Sequence, residues 1–134
     1  MPLTLEVATP TRLAVADEVD EVVAPGRSGY FGVLAGHAPF LTTLGIGELT
    51  YRKGREEFHL AVSGGFAEVR NDKVIVLADS AERPDEINRE RAERAKTRAE
   101  QRLAGRAAEE IDYARAMASL ARALVRIQVA SGNQ

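Results

Sequence analysis

Apolar and polar residues alternate in short runs through the first eighty residues of the chain. Leu3 to Val7 has the alternation of a half-buried strand, and similar runs follow at close spacing. Nine of the eleven glycines precede residue 66, in a region where tight turns need positive φ angles. Many short strands without intervening helices predict an all-β sandwich or flattened barrel of about ten short strands over residues 1–82.

The same alternation gives the bounds of the strands and the residues of the core. The strands that can be placed individually cover residues 3–7, 11–15, 19–24, 40–44, 48–52, 58–62, 66–69 and 74–78. Gly64-Gly65 is interpreted as a break between two of them. The predicted core residues are Leu5, Val7, Val22, Leu41, Leu49, Leu60, Val62, Val69, Val74 and Val76.

A helical pattern replaces the alternation after Pro84. Two alanine-rich segments, residues 86–103 and 112–129, lie on either side of Gly105, and Asp85 is the predicted N-cap of the first. The inward stripe of the first helix consists mainly of alanines, which bury little surface at about 25 cal/mol per Å². We therefore predict an antiparallel α-helical hairpin over residues 83–134 that forms readily, adheres weakly and is able to move.

Composition and charge narrow the classes of function. The chain has no cysteine, no phosphate-binding loop followed by Lys-Ser or Lys-Thr, and no catalytic triad, so it is not expected to be an enzyme alone. No signal peptide or membrane-spanning apolar stretch is visible. Residues 1–85 have 8 basic and 13 acidic residues, whereas residues 86–134 have 10 basic and 7 acidic ones. The helical half is therefore positive and favours an anionic ligand or partner.

Arginines recur at helical spacing in both predicted helices. Arg91, Arg94, Arg98 and Arg102 share one face of the first helix, and Arg115, Arg122 and Arg126 share a face of the second. Arginine suits phosphate because its planar fork donates two hydrogen bonds in register. The two rows could converge on one anion in a folded hairpin, form a positive edge in an extended one, or be solvated faces. Spacing alone leaves the three alternatives open.

The order of the segments resembles that of a known family. The turn Gly36-His37-Ala38-Pro39 precedes the segment Ser63-Gly64-Gly65, and the alanine-rich hairpin follows both. Over essentially the whole chain, this arrangement resembles the epsilon subunit of bacterial F-type ATP synthases. The resemblance implies a non-catalytic subunit of a proton-translocating rotary enzyme. A stand-alone β-sandwich recognition module with a dimerising hairpin is the alternative, against which the lack of a sustained heptad of large apolar residues counts.

The resemblance also implies partners and a location. The sandwich would contact the gamma subunit and the ring of c subunits in the central rotor, and would help to couple proton flow to rotation. The hairpin would lie folded on the sandwich, or extend along gamma so that its basic helices reach the alpha/beta catalytic head and inhibit ATP hydrolysis. The protein would be peripheral on the cytoplasmic side of the cell membrane, without inserting into it, and would not bind nucleic acid.

Several bacterial members of that family bind ATP on the folded hairpin, and this sequence resembles their pattern. The residues that match are Glu82, Ile87, Asn88, Arg91, Ala92, Arg98, Arg122 and Arg126. The resemblance implies ATP, free or with Mg²⁺, as a regulatory ligand, with no required cofactor and no metal site on the protein. Asn88 stands where the family has an aspartate. Asparagine keeps an acceptor but loses the charge, so binding is weakened if the aspartate orients an arginine and preserved if it meets the base.

A rotor contact is expected in the glycine-rich passage between the third and the fourth predicted strands of the sandwich. The family often has acidic residues before the position of Gly32, whereas this chain has Arg27 to Phe31 there. The contact is therefore predicted to be more aromatic, with Tyr30, Phe31 and His37 as its residues. The alternative for His37 is that it only braces its own turn.

Overall fold

Eight strands and two long helices form the part of the chain that the computed structural model describes, namely residues 2–105 and 110–132 without the side chains of residues 110–112. In chain order they are β1 (Leu3–Thr9), β2 (Arg12–Val19), β3 (Glu21–Gly26), β4 (Gly29–Val33), β5 (Phe40–Thr43), β6 (Ile46–Lys53), β7 (Glu56–Arg70), β8 (Lys73–Glu82), a short 3-10 helix (Pro84–Glu86), α1 (Arg89–Ala104) and α2 (Glu110–Gly132). The predicted class, a β-sandwich followed by a helical hairpin, is confirmed.

The long strand β7 connects the two layers of the sandwich. The strands are joined in the order β2-β1-β8-β7-β6-β3-β4, and β5 also pairs with β7. The first half of β7 pairs with β6, its last residues pair with β5, and β8 follows it on the other side. Gly64 and Gly65 lie where the partner changes and have φ angles of 65° and 106°. These glycines let the strand turn from one layer to the other around a single core.

The core agrees with the alternation of the sequence at all predicted positions but one. Nine of the ten predicted core residues are buried, whereas the side chain of Leu41 is 69% exposed. Strand β5, which carries Leu41, has only four residues and pairs with a single neighbour. The chain turns inward just beyond this strand, where Leu44 is buried instead.

Three predictions about the strands and helices are wrong. The described residues contain eight strands rather than about ten, because the expected break at Gly64-Gly65 lies inside β7. Residues 29–33, which had no predicted structure, form β4 against β3. Asp85 is not the N-cap of the first long helix, because it belongs to the 3-10 helix and is separated from α1 by Ile87 and Asn88, which are extended. Asn88 caps α1 instead, and its side-chain oxygen accepts a hydrogen bond of 3.0 Å from the N–H of Arg91.

The helical hairpin is built on small residues. Ala92 and Ala99 of α1 and Ala116 and Ala123 of α2 are buried, as the predicted alanine stripe requires. The hairpin lies on the sandwich through α2, which contacts β6 and β7. Large apolar residues of α2 also lie on a second, exposed face of that helix, at Tyr113, Met117 and Leu124. The contact of α2 with the sandwich includes larger residues, since Val125 lines a crevice together with Ile46 and Val62, so weak adhesion stays a prediction.

Two direct hydrogen bonds join α2 to carboxylates of the sandwich. Arg126 Nε donates to Glu82 Oε1 at 2.6 Å, and Gln128 Nε2 donates to Glu48 Oε1 at 2.7 Å. Hydrogen bonds to charged groups are worth about 1.5–3 kcal/mol when they are well desolvated. Both carboxylates are only partly buried, so each contact contributes less than that. These two polar contacts of the docked hairpin can therefore be exchanged for contacts with water.

The close approach of β8 to Gly65 gives a test of the β7 turn. A methyl group at residue 65 would overlap the carbonyl oxygen of Leu77 and lie 2.8 Å from Cα of Ala78. We expect Gly65→Ala to lower the free energy of unfolding by about 3 kcal/mol or more. Gly54→Ala is the control, since it also has a positive φ but no atom within 4 Å, and should cost about 1 kcal/mol. Urea denaturation measures both losses, and equal losses would contradict the proposed role of Gly65.

Candidate functional site

A cavity of about 350 Å³ opens where the end of β8 and the 3-10 helix meet the two helices of the hairpin. Its size lies in the range of small-molecule binding sites. The cavity contains every residue of the predicted ATP site except Arg122. Its walls are formed by Glu82, Glu86, Ile87, Asn88, Arg91, Ala92, Ala95, Arg98 and Arg126.

Arg122 lies beside this cavity rather than in its wall. The side chain lines a narrow crevice between α2 and the sandwich, which it shares with Glu82, Val125 and Arg126. Its Nη2 donates to Ser119 Oγ at 3.3 Å, one turn back along α2. Arg122 is therefore a neighbour of the site in the folded hairpin, and the structure does not place it on the cavity wall.

The cavity wall carries two cations that are available to an anion. Arg126 is paired with Glu82, and both side chains are about one third exposed. Arg91 and Arg98 also line the cavity and are exposed, and within the described part of the chain neither forms an ion pair. Both come from α1, two turns apart, so they lie on the same side of the helix.

A second carboxylate of the wall, Glu86, is neutralised from outside the cavity. Both guanidinium Nη atoms of Arg12 on β2 donate to it, with a distance of 2.8 Å from Nη2 to Oε1, and the N–H of Arg83 also donates to Oε1 at 2.8 Å. Chiefly through the hydrogen bond from Arg12, the pKa of the Glu86 carboxyl is held below its ordinary value, and the pKa of Arg12 is raised. Arg83 in turn donates to the carbonyl of Ala14 at 2.7 Å. The segment that leads into the hairpin is thus held on β2.

Asn88 has a local structural role that an aspartate at the same position would also have. Its Oδ1 caps α1, and asparagine and aspartate are about equally good N-caps. The side-chain NH₂ takes no part in this cap and is a hydrogen-bond donor that an aspartate lacks. Asn88 therefore keeps the start of the helix in place and offers the cavity a donor where an aspartate would offer an acceptor.

The arginine rows divide between different surfaces. Arg91, Arg98 and Arg126 meet at the cavity, as the folded alternative of the sequence analysis requires. Arg94 lies toward a shallow concavity on the outer side of α1, with Glu93 and Thr97. Arg102 and Arg115 are exposed and line neither surface. The helical period turns Arg94 about 60° away from Arg91 around α1. Arg102 instead lies one turn beyond Arg98, past the end of the cavity.

Sequence reasoning missed three residues that shape the site. Ala95 belongs to the predicted alanine stripe of the first helix, together with Ala92 and Ala99, and its small side chain also forms part of the cavity wall. Glu86 was interpreted as the first residue of a helix, and its position next to Ile87 was the available signal. Arg12 carried no signal, because it lies 74 residues from Glu86 and only the fold brings the two together.

The predicted rotor-contact residues lie in two different environments. Phe31 and His37 both contact the ring of Phe40, at centroid distances of 5.2 and 6.1 Å. Tyr30 is 60% exposed and its hydroxyl accepts a hydrogen bond of 3.0 Å from the N–H of Glu48. His37 Nδ1 lies 2.6 Å from the carbonyl oxygen of Ala38, so the side chain does contact its own turn.

An apolar row crosses the outer face of the sheet, away from the hairpin. Leu13 is paired with Ala8, Ala8 with Leu77, and Leu77 with Phe66, so the four side chains lie on one face. The three large ones are between 55% and 58% exposed. Contiguous exposed apolar residues of this kind mark protein-binding surfaces more often than scattered ones do.

Membrane-spanning helices and metal-binding clusters are both absent from the described residues. None of the helices over residues 89–104 and 110–132 is long and apolar enough to span a membrane. Within the described ranges, no group of three or more histidine, cysteine, aspartate or glutamate residues is placed to hold a metal ion.

Known proteins match nearly the whole length of the chain. The family model of the ATP synthase delta/epsilon chain β-sandwich domain matches residues 2–84, and that of the long α-helix domain of the same chain matches residues 85–131. The ATP synthase epsilon chain of Geobacter metallireducens is 53% identical over 96% of this chain and 93% of its own length. That of Nitratidesulfovibrio vulgaris is 54% identical over 95% and 94%.

A solved structure extends the likeness to the fold. A chain of the Euglena gracilis mitochondrial ATP synthase superposes with a TM-score of 0.83 at 22% identity, covering 97% of this chain and 81% of that one. Both domains and the connection between them are therefore shared, as the resemblance in the sequence implied. The chain belongs to the ATP synthase delta/epsilon chain family, the family of a non-catalytic subunit of the membrane-associated ATP synthase complex.

Proposed function

We propose that this chain is the central-rotor subunit through which the gamma subunit is held to the c ring, and that its hairpin regulates ATP hydrolysis. In this proposal the folded hairpin binds ATP, and the extended hairpin reaches the alpha/beta head and inhibits hydrolysis. The complex would place the chain on the cytoplasmic side of the cell membrane. Membership of the family favours this function over a stand-alone recognition module.

The observation that carries the regulatory part is the composition of the cavity wall. Arg91 and Arg98 offer two forks for phosphate oxygens, while Ile87, Ala92 and Ala95 offer an apolar surface to a base. The wall is formed by β8, by both helices and by the connecting segment, residues 83–88, between β8 and α1. A ligand in this cavity therefore contacts the hairpin and the sandwich together, and stabilises the folded state in proportion to its preference for that state.

The inhibitory part of the proposal is supported by the way in which the hairpin contacts the sandwich. The contact is made through α2, with Val125, Ile46 and Val62 lining one crevice between them, and it includes the hydrogen bonds of Arg126 and Gln128. Release of α2 returns two carboxylates and two donors to water, which costs little. The basic residues of the hairpin are then free to meet acidic segments of the catalytic head.

ATP binding is tested by isothermal calorimetry of the full chain with ATP, with and without Mg²⁺. We expect Arg98→Ala to weaken binding by roughly tenfold to a hundredfold, since it removes a charge-assisted hydrogen bond to phosphate. Arg102→Ala is the matched control, because it removes an exposed arginine one turn further along α1 and outside the cavity. The absence of heat at millimolar ATP with the unmodified chain would rule out the ATP site.

Movement of the hairpin is tested by locking it in place. The chain contains no cysteine, so Glu48→Cys together with Gln128→Cys gives a unique pair that a short bis-maleimide can bridge. In a reconstituted ATP synthase, the bridged chain should assemble but lose its inhibition of ATP hydrolysis, and the unbridged variant should keep it. A bridge between Asp17→Cys and Lys53→Cys, inside the sandwich, is the control. Full inhibition by the chain with the locked hairpin would contradict the proposal.

The contact with the gamma subunit is assigned in this proposal to the apolar row of Leu13, Ala8, Leu77 and Phe66. A charge in this row tests the assignment. Leu77→Asp places a charge in the middle of that row, at a side chain that is 55% exposed, so the fold should be retained. We expect the variant to lose co-purification with gamma by tenfold or more, since a buried unpaired charge is costly. Leu124→Asp makes the same change on the exposed face of α2 and should leave co-purification unchanged. Equal retention by both variants would place the gamma contact elsewhere on the sandwich.

A further inference from the structure

The two carboxylates of the cavity wall are neutralised in different ways. Glu82 is paired with Arg126, which is itself part of the wall. Glu86 is paired with Arg12, which lies on β2 and does not line the cavity. The charge that an entering anion meets at Glu86 is therefore controlled by a residue that the anion does not touch.

The geometry of this contact suits a fixed neutralising charge. Arg12 holds the Glu86 carboxylate through both Nη atoms, and its Nη2 also donates to the carbonyl of Ala81 at 2.9 Å. The guanidinium is thus bound to the same strand end that carries Glu82. A bidentate fork of this kind fixes the orientation of the carboxylate as well as compensating its charge.

The charges of the wall show what Arg12 contributes. Arg91, Arg98 and Arg126 oppose Glu82 and Glu86, so the wall alone has an excess of one positive charge. With Arg12 counted as the partner of Glu86, the excess is two. For a polyphosphate anion in a partly exposed cavity, one unit charge changes affinity by an amount on the order of tenfold.

We infer that Arg12 is a positioning residue of the cavity, which sets the affinity for a polyphosphate anion by holding and neutralising Glu86. The inference rests on the proposed function for the identity of the ligand as ATP, but the anion site that it describes does not require the base. Because Arg12 belongs to the sandwich and the arginines of the wall belong to the hairpin, the complete site exists only when the two domains are joined in the folded state.

The experiment compares calorimetric affinities of the full chain for ATP and for inorganic tripolyphosphate. Arg12→Ala should weaken binding of both probes by about tenfold, because Glu86 loses its ion-pair partner and keeps only the hydrogen bond from the N–H of Arg83. Arg12→Ala combined with Glu86→Gln should restore both affinities to within about twofold, since the repelling charge is gone although the contact stays broken. Arg55→Ala removes an exposed arginine in the turn between β6 and β7 and should change neither affinity.

The outcomes separate this inference from the proposed function. If the unmodified chain binds tripolyphosphate in the expected pattern but not ATP, the ATP function fails and the role of Arg12 stands. If ATP binds and Arg12→Ala binds equally well, the function stands and the role of Arg12 is wrong. A double variant as weak as the single one would also overturn it, because Arg12 would then act through the fold.

Two further results complete the test. If Arg12→Ala does not fold, as judged by circular dichroism, Arg12→Lys keeps the charge without the fork and should bind with an affinity between wild type and a tenfold loss. A larger loss in the lysine variant would contradict neutralisation as the mechanism. Failure of the unmodified chain to bind either probe would overturn both the inference and the ATP function.

Discussion

The contact between the hairpin and the sandwich is the constraint on which the rest of this structure depends. In the proposed function it has to be strong enough to form the cavity, yet weak enough to be broken without unfolding either part. A contact made mainly by one helix, α2, with hydrogen bonds to carboxylates that water can replace, suits both requirements, since a large apolar interface would stabilise one arrangement by many kcal/mol. The cavity is a product of this contact, because its wall comes from the end of β8, the connecting segment and both helices.

Local patterns in the sequence were sufficient for the parts of the fold that depend on local physics. Alternation of apolar residues located most strands and nine of ten core positions, because one buried face imposes a period of two. It misplaced the end of one strand at Gly64-Gly65, since glycine marks either a break or a bend and only pairing with β8 distinguishes them. Asp85 and Asn88 are equally good N-caps by residue type. Asn88 is the cap because the extended residues after the 3-10 helix delay the start of α1.

The candidate site shows the same division between local and long-range information. Residues 87–92 could be assigned because they form a continuous motif, and the structure brings them together with Glu82, Arg98 and Arg126. Resemblance also suggested Arg122, which in the folded hairpin lies next to the cavity and contacts Ser119. Arg12 could not be found in this way. Nothing in its neighbourhood on β2 indicates an anion site, and its connection to Glu86 is created by the packing of β2 beside the connecting segment.

The position of β8 in the sheet has a consequence for the way in which the chain is made. The last strand of the sandwich lies between β1 and β7, with a parallel pairing to β1, so the first strand remains without this partner until residue 82 has been synthesised. A nascent chain that stops short of β8 exposes two strand edges in the middle of its sheet, which is the usual template for aggregation. A chain that continues past Glu86 has a continuous sheet, and the segment that leads into the hairpin is already in place. Synthesis therefore completes the sandwich before it completes the hairpin, and a truncated hairpin need not endanger the sandwich.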